Sequence, residues 1–252
     1  MSATTAIGID IGGTGIKGAV VDLSTGALLS DRVKLPTPKG GRPQDIIETA
    51  QQLLGQVAAG TEDLAVGVCF PAVVKHGHTM SAANVSDKWI GLGAEALFEK
   101  ALKVPIHFVN DADAAGYAES QFGAAKNVRG VVILTTLGTG IGTALLNDGV
   151  LVPNTELGHL QIEGKDYETK AAYSAKERED LSWEKWAGRL QKYYATLEQL
   201  FSPDLFIVGG GVSKHHEEFL PLLSLKTRII PAVHRNNAGI LGAAALAVKF
   251  RD

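Results

Sequence analysis

The tightest constraint on the fold is an internal repeat. Gly13-Thr14-Gly15-Ile16 recurs as Gly138-Thr139-Gly140-Ile141, and Ala19 recurs as Ala144, at an offset of about half the 252-residue chain. Apolar pairs follow in both copies, Val20-Val21 and Leu145-Leu146. Each copy joins two short apolar runs, Ala6 to Ile11 with Ile16 to Asp22, and Val131 to Thr136 with Ile141 to Leu146. Two such runs joined by a glycine-rich turn read as a β-hairpin. One short match could reflect shared hairpin chemistry. The half-length offset instead predicts a duplicated βββαβ-type lobe. The expected division is 1–110 with the first loop and 111–252 with the second, the terminal helix packing back on the first lobe.

The remaining segments fit an α/β chain. Leu28 to Leu35 reads as a third strand, closed by Pro36 and Pro38. Pro43 can open a helix, because its missing N–H is not needed in the first turn. Ile46, Ile47, Ala50, Leu53, Leu54 and Val57 then recur at helical spacing. Leu64 to Phe70 and Ile106 to Val109 read as strands, and a helix is expected from about Ala112 to Phe122. Trp186, Leu190, Tyr193, Leu197, Leu200 and Phe201 form one stripe on a predicted helix from Ser182 to Phe201, read as core packing. Asp204 to Val208 reads as a strand ending in Gly209-Gly210-Gly211, and Ala238 to Phe250 as a helix apolar nearly all round and therefore buried. Strands followed by helices in both halves give mixed sheets.

Composition narrows the function. A net charge of -3 argues against a general nucleic-acid binder, which usually carries a basic excess. The lone Cys69 excludes an intramolecular disulfide, and its apolar neighbours predict a buried, inert thiol. Ile7-Gly8-Ile9 comes too early for a signal peptide, and the run Ala238 to Val248 is too short for a membrane span. A cytoplasmic protein is expected.

The loops carry the first chemical signal. In Asp10-Ile11-Gly12-Gly13-Thr14-Gly15-Ile16-Lys17, glycines let the backbone approach an anion, and Thr14 can donate a hydroxyl bond. Asp10 can hold magnesium (Mg2+) directly or through water, and Lys17 can screen developing charge. The order is not that of a Walker A loop, nor of a dinucleotide fingerprint. The bland alternative is a type I′ hairpin turn, which the second copy at Gly138, Thr139 and Gly140 makes less attractive. Gly210 and Gly211 could let a nucleotide lie against the backbone, or simply turn a strand into a helix.

A second set of polar residues suits a sugar. Asn110-Asp111 ends a strand and precedes a helix, where Asp111 is rigid enough to act as a general base or equally to cap the helix. Glu156 and His159 would share a face if helical, and an amide, a carboxylate and an imidazole match hydroxyls that both donate and accept. Zinc is the competing reading for His159, but Cys69 is remote and the other histidines are scattered. His215-His216 reads as a solvated helix start.

Asp10 to Thr14, Asn110-Asp111, Leu137 to Gly142, Glu156-Leu157-Gly158-His159 and Gly209 to Gly211 resemble, in order and across nearly the whole chain, the motifs of the ROK family of repressors and sugar kinases. The resemblance implies an actin-like (ribonuclease H-like) duplicated sugar-kinase fold with an interlobe cleft. It implies Asp111 as the base on the sugar 6-hydroxyl, and Asn84, Asn110, Glu156, His159 and Glu168 as hexose ligands. Many members carry a cysteine-rich zinc loop after Gly-His; here Gly164-Lys165-Asp166-Tyr167-Glu168 stands in a shortened segment, so zinc is not expected. No helix-turn-helix segment precedes Asp10, which leaves the repressor branch without its reader. The short length, Ala83-Asn84, Trp89-Ile90-Gly91 and Arg235 to Gly239 look most similar to the bacterial glucokinases that use inorganic polyphosphate, often with ATP.

The expectation is a glucose kinase using polyphosphate or ATP, with magnesium, active as a homodimer. Lys75, Lys88 and Arg235 could steer a long anion or be ordinary surface charges. The alternatives are an ATP-only hexose or N-acetylmannosamine kinase, a non-catalytic sugar sensor, and an actin-like filament or chaperone ATPase. The ATPase would have no use for the Glu156 cluster.

Overall fold

Thr5, Ile7, Ile9 and Ile11 alternate along Thr5–Ile11, which pairs with Gly15–Asp22 as an antiparallel hairpin, in register from Thr5 with Asp22 to Ile11 with Ile16. The computed structural model describes residues 4–58 and 63–250. The chain divides into two compact units, Met1–Ala118 with Asn237–Asp252, and Glu119–Asn236.

In the first unit, Ala65–Phe70 lies parallel to Thr5–Ile11 and is buried along its whole length, as a strand covered on both faces must be. Ile106–Asn110 continues the parallel half. On the other side of the hairpin, Leu28 to Leu35 does not form the single strand expected. It splits into Ala27–Leu28 and Val33–Pro36, both paired to Gly15–Asp22. Between them the Ser30 hydroxyl accepts the Val20 N–H at 3.0 Å, so a side chain replaces the backbone acceptor and the chain bulges out.

Pro43 starts the helix Pro43–Val57, whose Ile46, Ala50, Leu53, Leu54 and Val57 are buried. The terminal helix Ala238–Lys249 is buried on most of its surface and packs on the two central strands. That packing is backbone against backbone. A Cβ at Gly8 would collide with the Ile240 carbonyl, and one at Gly67 with the Ala243 carbonyl.

The second unit repeats the plan. Val131–Leu137 and Ile141–Asn147 form an antiparallel hairpin, Val150–Val152 extends it, and Leu205–Gly209 returns parallel to the first strand. The strand order matches that of the first unit, with Arg228–Pro231 at the parallel edge. The first strands of the two hairpins even share one pattern of buried and half-buried positions.

The helix Trp183–Phe201 begins at Ser182, whose hydroxyl accepts the Lys185 N–H. Its Trp186, Leu190, Tyr193, Tyr194 and Leu197 fill the core under the sheet. The expected stripe needs one correction. Leu200 is 60% exposed, while Tyr194 is fully buried and its hydroxyl meets Thr135 at 2.6 Å. The stripe turns with the helix, so a strict alternation overshoots in the last turn. Among the described residues, no helix is long and apolar enough to cross a membrane.

Candidate active site

In the first unit, cross-strand pairing puts Asp10 directly opposite Lys17, and Lys17 opposite Lys34 on the next strand. Directly opposed residues share a face of the sheet, so these three form a row. Lys17 Nζ lies 2.9 Å from Asp10 Oδ2. The buried Cys69 thiol donates to Asp10 Oδ1 at 3.6 Å, and Gly239 of the terminal helix lies close enough that a Cβ there would press on the Asp10 carboxyl carbon. Burial and the negative charges of Asp10 and Asp111 push the Cys69 thiol well up, so it stays protonated and able to donate, consistent with an inert thiol.

The turn after Asp10 is not a type I′ turn. Ile11 pairs with Ile16 across four residues, and the Gly12 N–H donates to the Gly15 carbonyl at 3.1 Å. Gly12, Gly13 and Gly15 are absent from the positive-φ glycines, whereas a type I′ turn needs φ > 0 at both central residues. Their need for glycine is spatial. A Cβ at Gly13 would lie 3.0 Å from Asn84 Cβ, and one at Gly15 would lie 2.7 Å from Lys34 Cε. Asn84 therefore backs the loop, in a left-handed conformation at φ 61. The Thr37 hydroxyl donates to the Gly12 carbonyl, while Thr14 stands exposed at the tip.

Asn110 and Asp111 divide two tasks that the sequence left open for Asp111. Asn110 Oδ1 accepts the Asp113 N–H at 2.9 Å, so Asn110 is the helix cap. Its Nδ2 donates to the Ala72 carbonyl at 2.9 Å. Asn110 is buried and keeps one N–H and one lone pair for another partner. Asp111 is the first residue of the helix Asp111–Phe122, half-buried, with Oδ1 accepting the Ala112 N–H. The N-cap alternative for Asp111 is thereby replaced by Asn110.

In the second unit, Leu137 pairs with Ile141 across three residues, one fewer than in the first hairpin, and the Gly138 N–H donates to the Gly140 carbonyl. A Cβ at Gly138 would meet nothing within 4 Å, so neither crowding nor positive φ demands glycine there. Gly140 is different, because Glu168 Oε2 occupies the space a Cβ would need and accepts the Ile141 N–H at 2.7 Å. The Ser174 hydroxyl donates to the Thr139 carbonyl at 2.6 Å. Gly210 has φ 80 and leaves no room for a Cβ against the Leu137 backbone, so its glycine serves the strand-to-helix turn into Gly211–His215.

Glu156 and His159 are brought to one side by a single 3-10 turn, Leu157–His159. The turn is anchored to the hairpin: the Leu157 N–H donates to the Thr143 hydroxyl at 3.0 Å, and Gly158 lies against the Ile141 carbonyl. Glu156 reaches solvent, yet the packed atoms around it push its carboxyl above the usual value, with Glu168 adding and His159 opposing. His159 is raised above the usual imidazole value, first by its bond to Asp166, with the charges of Glu168, Asp166 and Glu156 adding to it. That bond, Nδ1 to Asp166 Oδ2, is 2.8 Å. Two functional candidates were missed in the sequence, Lys34 and Asp166. A lysine on a strand beside the first hairpin, and an acid seven residues after His159, are the signals that could have found them. His215 is exposed and His216 starts a short helix, as expected. Lys75, Lys88 and Arg235 are exposed, and none forms an ion pair among the described residues.

Magnesium would fit at Asp10. The ion usually keeps several waters and binds one or two carboxylates together with substrate phosphates. A rigidly held carboxylate beside a glycine loop supplies that, and no cluster of three or more His, Cys, Asp or Glu ligands among the described residues is needed or present.

A duplicated hairpin unit with these glycine loops, an Asn-Asp helix start and the Glu156 to Glu168 segment defines a class. The ROK family model matches residues 6–170, and the chain belongs to the ROK family. The polyphosphate glucokinase of Mycobacterium tuberculosis (strain CDC 1551 / Oshkosh) is 44% identical over 242 residues, covering 96% of this chain and 90% of that protein. The crystal structure of an inorganic polyphosphate/ATP-glucomannokinase from Arthrobacter sp. strain KM superimposes with a TM-score of 0.93 at 49% identity, covering 99% of this chain and 100% of that one. A ROK family glucokinase from Streptomyces griseus, in complex with glucose and AMPPNP, matches at a TM-score of 0.82 and 24% identity over 97% of this chain and 99% of its own, which shows the shared fold. The fold is the actin-like α/β architecture of the ROK sugar kinases.

Proposed function

We propose that this protein is a glucokinase that transfers a phosphoryl group from inorganic polyphosphate or ATP to the 6-hydroxyl of glucose. The observation that carries this reading is Asp111, a carboxylate held on the first turn of a helix whose capping is done by its neighbour Asn110. A carboxylate fixed at that position is of the kind that can take a proton from an attacking hydroxyl. The donor is read from the relatives, whose names join polyphosphate, ATP and glucose across nearly the full chain.

In the reaction, the 6-hydroxyl passes its proton to Asp111 as its oxygen bonds to the terminal phosphorus. The bond from that phosphorus to the rest of the donor breaks, leaving ADP or a polyphosphate shorter by one unit. A positioned base of this kind contributes about 10²–10⁴ in rate. The loops Gly12-Gly13-Thr14 and Gly138-Thr139-Gly140 take the donor phosphates, with Lys17 and the Gly210-Gly211 turn completing the donor side. Asn84, Asn110, Glu156, His159 and Glu168 bind the hexose. Magnesium held by Asp10, when bound, supplies charge neutralisation for the phosphates. We place the enzyme in the cytoplasm, as a homodimer that sedimentation would reveal.

The test is one panel: glucose, mannose and N-acetylmannosamine, each with ATP and with polyphosphate. Glucose should be phosphorylated with either donor. Mannose is the second sugar to expect, since the Arthrobacter relative is a glucomannokinase. If no sugar is phosphorylated with either donor, the kinase reading fails. Activity with ATP alone would remove polyphosphate from it.

A further inference from the structure

One carboxylate of the second unit has no part in the chemistry above, yet it touches two of the residues that recognise the sugar. Asp166 Oδ2 lies 2.8 Å from His159 Nδ1, and Asp166 Oδ1 accepts the Glu168 N–H at 3.2 Å. Its carbonyl accepts the Thr169 hydroxyl at 2.6 Å, which fixes the start of the short helix Glu168–Ala171. Glu168 in turn reaches the Ile141 N–H at the end of the glycine loop. Asp166 is thus the middle of a continuous chain of hydrogen bonds from the imidazole to the second hairpin.

We propose that Asp166 is a positioning residue for sugar recognition, holding His159 and Glu168 in fixed relation with one carboxylate oxygen to each. A carboxylate can only accept, so the ring must donate from Nδ1. That leaves Nε2 as the atom offered to the ligand, and pins the ring plane as well as the tautomer. The His159 side chain is 52% exposed and that of Asp166 is 36% exposed, so the pair adds little to folding. Its effect falls on the orientation of the ring. The inference rests on the reading of His159 and Glu168 as hexose ligands.

The test uses the full-length protein with four variants: Asp166→Ala, Asp166→Asn, His159→Ala and Glu168→Gln. Asp166→Ala should raise the glucose KM by about fivefold, the scale of one exposed charge-assisted pair. Its kcat at saturating glucose should stay near wild type, because Asp111 is untouched. Asp166→Asn keeps an acceptor for the Glu168 N–H and can still start the helix, but offers the ring no charge. It should raise the glucose KM while melting like wild type. Proton NMR of His159 should show its titration moving to lower pH in both Asp166 variants, against the remaining carboxylates Glu156 and Glu168 that face it. An unchanged glucose KM in both Asp166 variants overturns the proposal, provided His159→Ala and Glu168→Gln raise it. If all four leave glucose binding intact, the hexose assignment has failed and the positioning role falls with it.

Discussion

The two hairpins share a topology, and their first strands a burial pattern, but one is charged and the other is neutral. Where the first holds Asp10 opposite Lys17, the second holds Thr136 opposite Gly142. The first has a fourth loop residue, Gly12, and a neighbouring strand that adds Lys34 to the row. The second has a three-residue loop and receives a carboxylate from outside the hairpin, Glu168. The two copies keep the hairpin pairing and differ in charge. The first copy carries fixed charge suited to a metal and a phosphoryl group in flight. The second carries an uncharged loop and a borrowed carboxylate on its Ile141 N–H, which suits a bound sugar and the rest of the donor.

That contrast can be broken at several places. The largest effect is expected at the charged row. Asp10→Asn should lower kcat by roughly 10²-fold or more, the cost of losing a preorganised electrostatic partner of the transition state. Steady-state assays at saturating glucose would check this, and a near-normal kcat would dissolve the division of labour between the copies.

Packing comes next. Gly67→Ala drives a methyl group into the Ala243 carbonyl, and overpacking of this kind costs typically about 1–3 kcal/mol. Thermal melting should fall accordingly. Gly138→Ala has open space and should melt like the parent, so a rise in donor KM without a change in melting would mark that glycine as a donor contact.

The smallest effect is in pH. Glu156 and His159 both hold their protons more tightly folded than unfolded. Their contribution is fully present below the unfolded values of 4.5 and 6.5 and is lost as pH rises through the higher folded values. Each of the two groups on its own therefore favours the fold less as pH rises through its window, and Asp166→Asn should remove the His159 share of that slope relative to the parent. Melting curves of parent and variant with the same pH dependence across the upper window would contradict it.

Much of this was legible in the sequence because it is local. A glycine-threonine turn between apolar runs, Pro43 at a helix start and the apolar terminal helix need no distant partner to be read. The duplication was legible because Gly13 and Gly138 stand so far apart. What escaped depends on partners far along the chain. Lys34 acquires meaning only when strand pairing sets it beside Lys17. Asn110 was read as a sugar ligand, and its capping bond to Asp113 depends on where the helix starts to within one residue. Leu200 falls on the apolar stripe by spacing, but the stripe turns with the helix and leaves Leu200 60% exposed in the last turn. Gly8 and Gly67 fall inside the apolar runs Ala6 to Ile11 and Leu64 to Phe70, with nothing local to explain them. Their reason is a helix that lies more than 170 residues later in the chain.

That late helix has a consequence for how the protein is made. The second unit is one uninterrupted stretch, but the first is closed by Ala238–Lys249. The strands that precede the second unit must keep an apolar groove, floored by Gly8 and Gly67, uncovered while the ribosome adds the whole of that unit. The half that holds Asp10 and Asp111 is therefore begun before the second unit and closed after it, and a chain stalled before residue 238 would display that groove to whatever chaperone meets it.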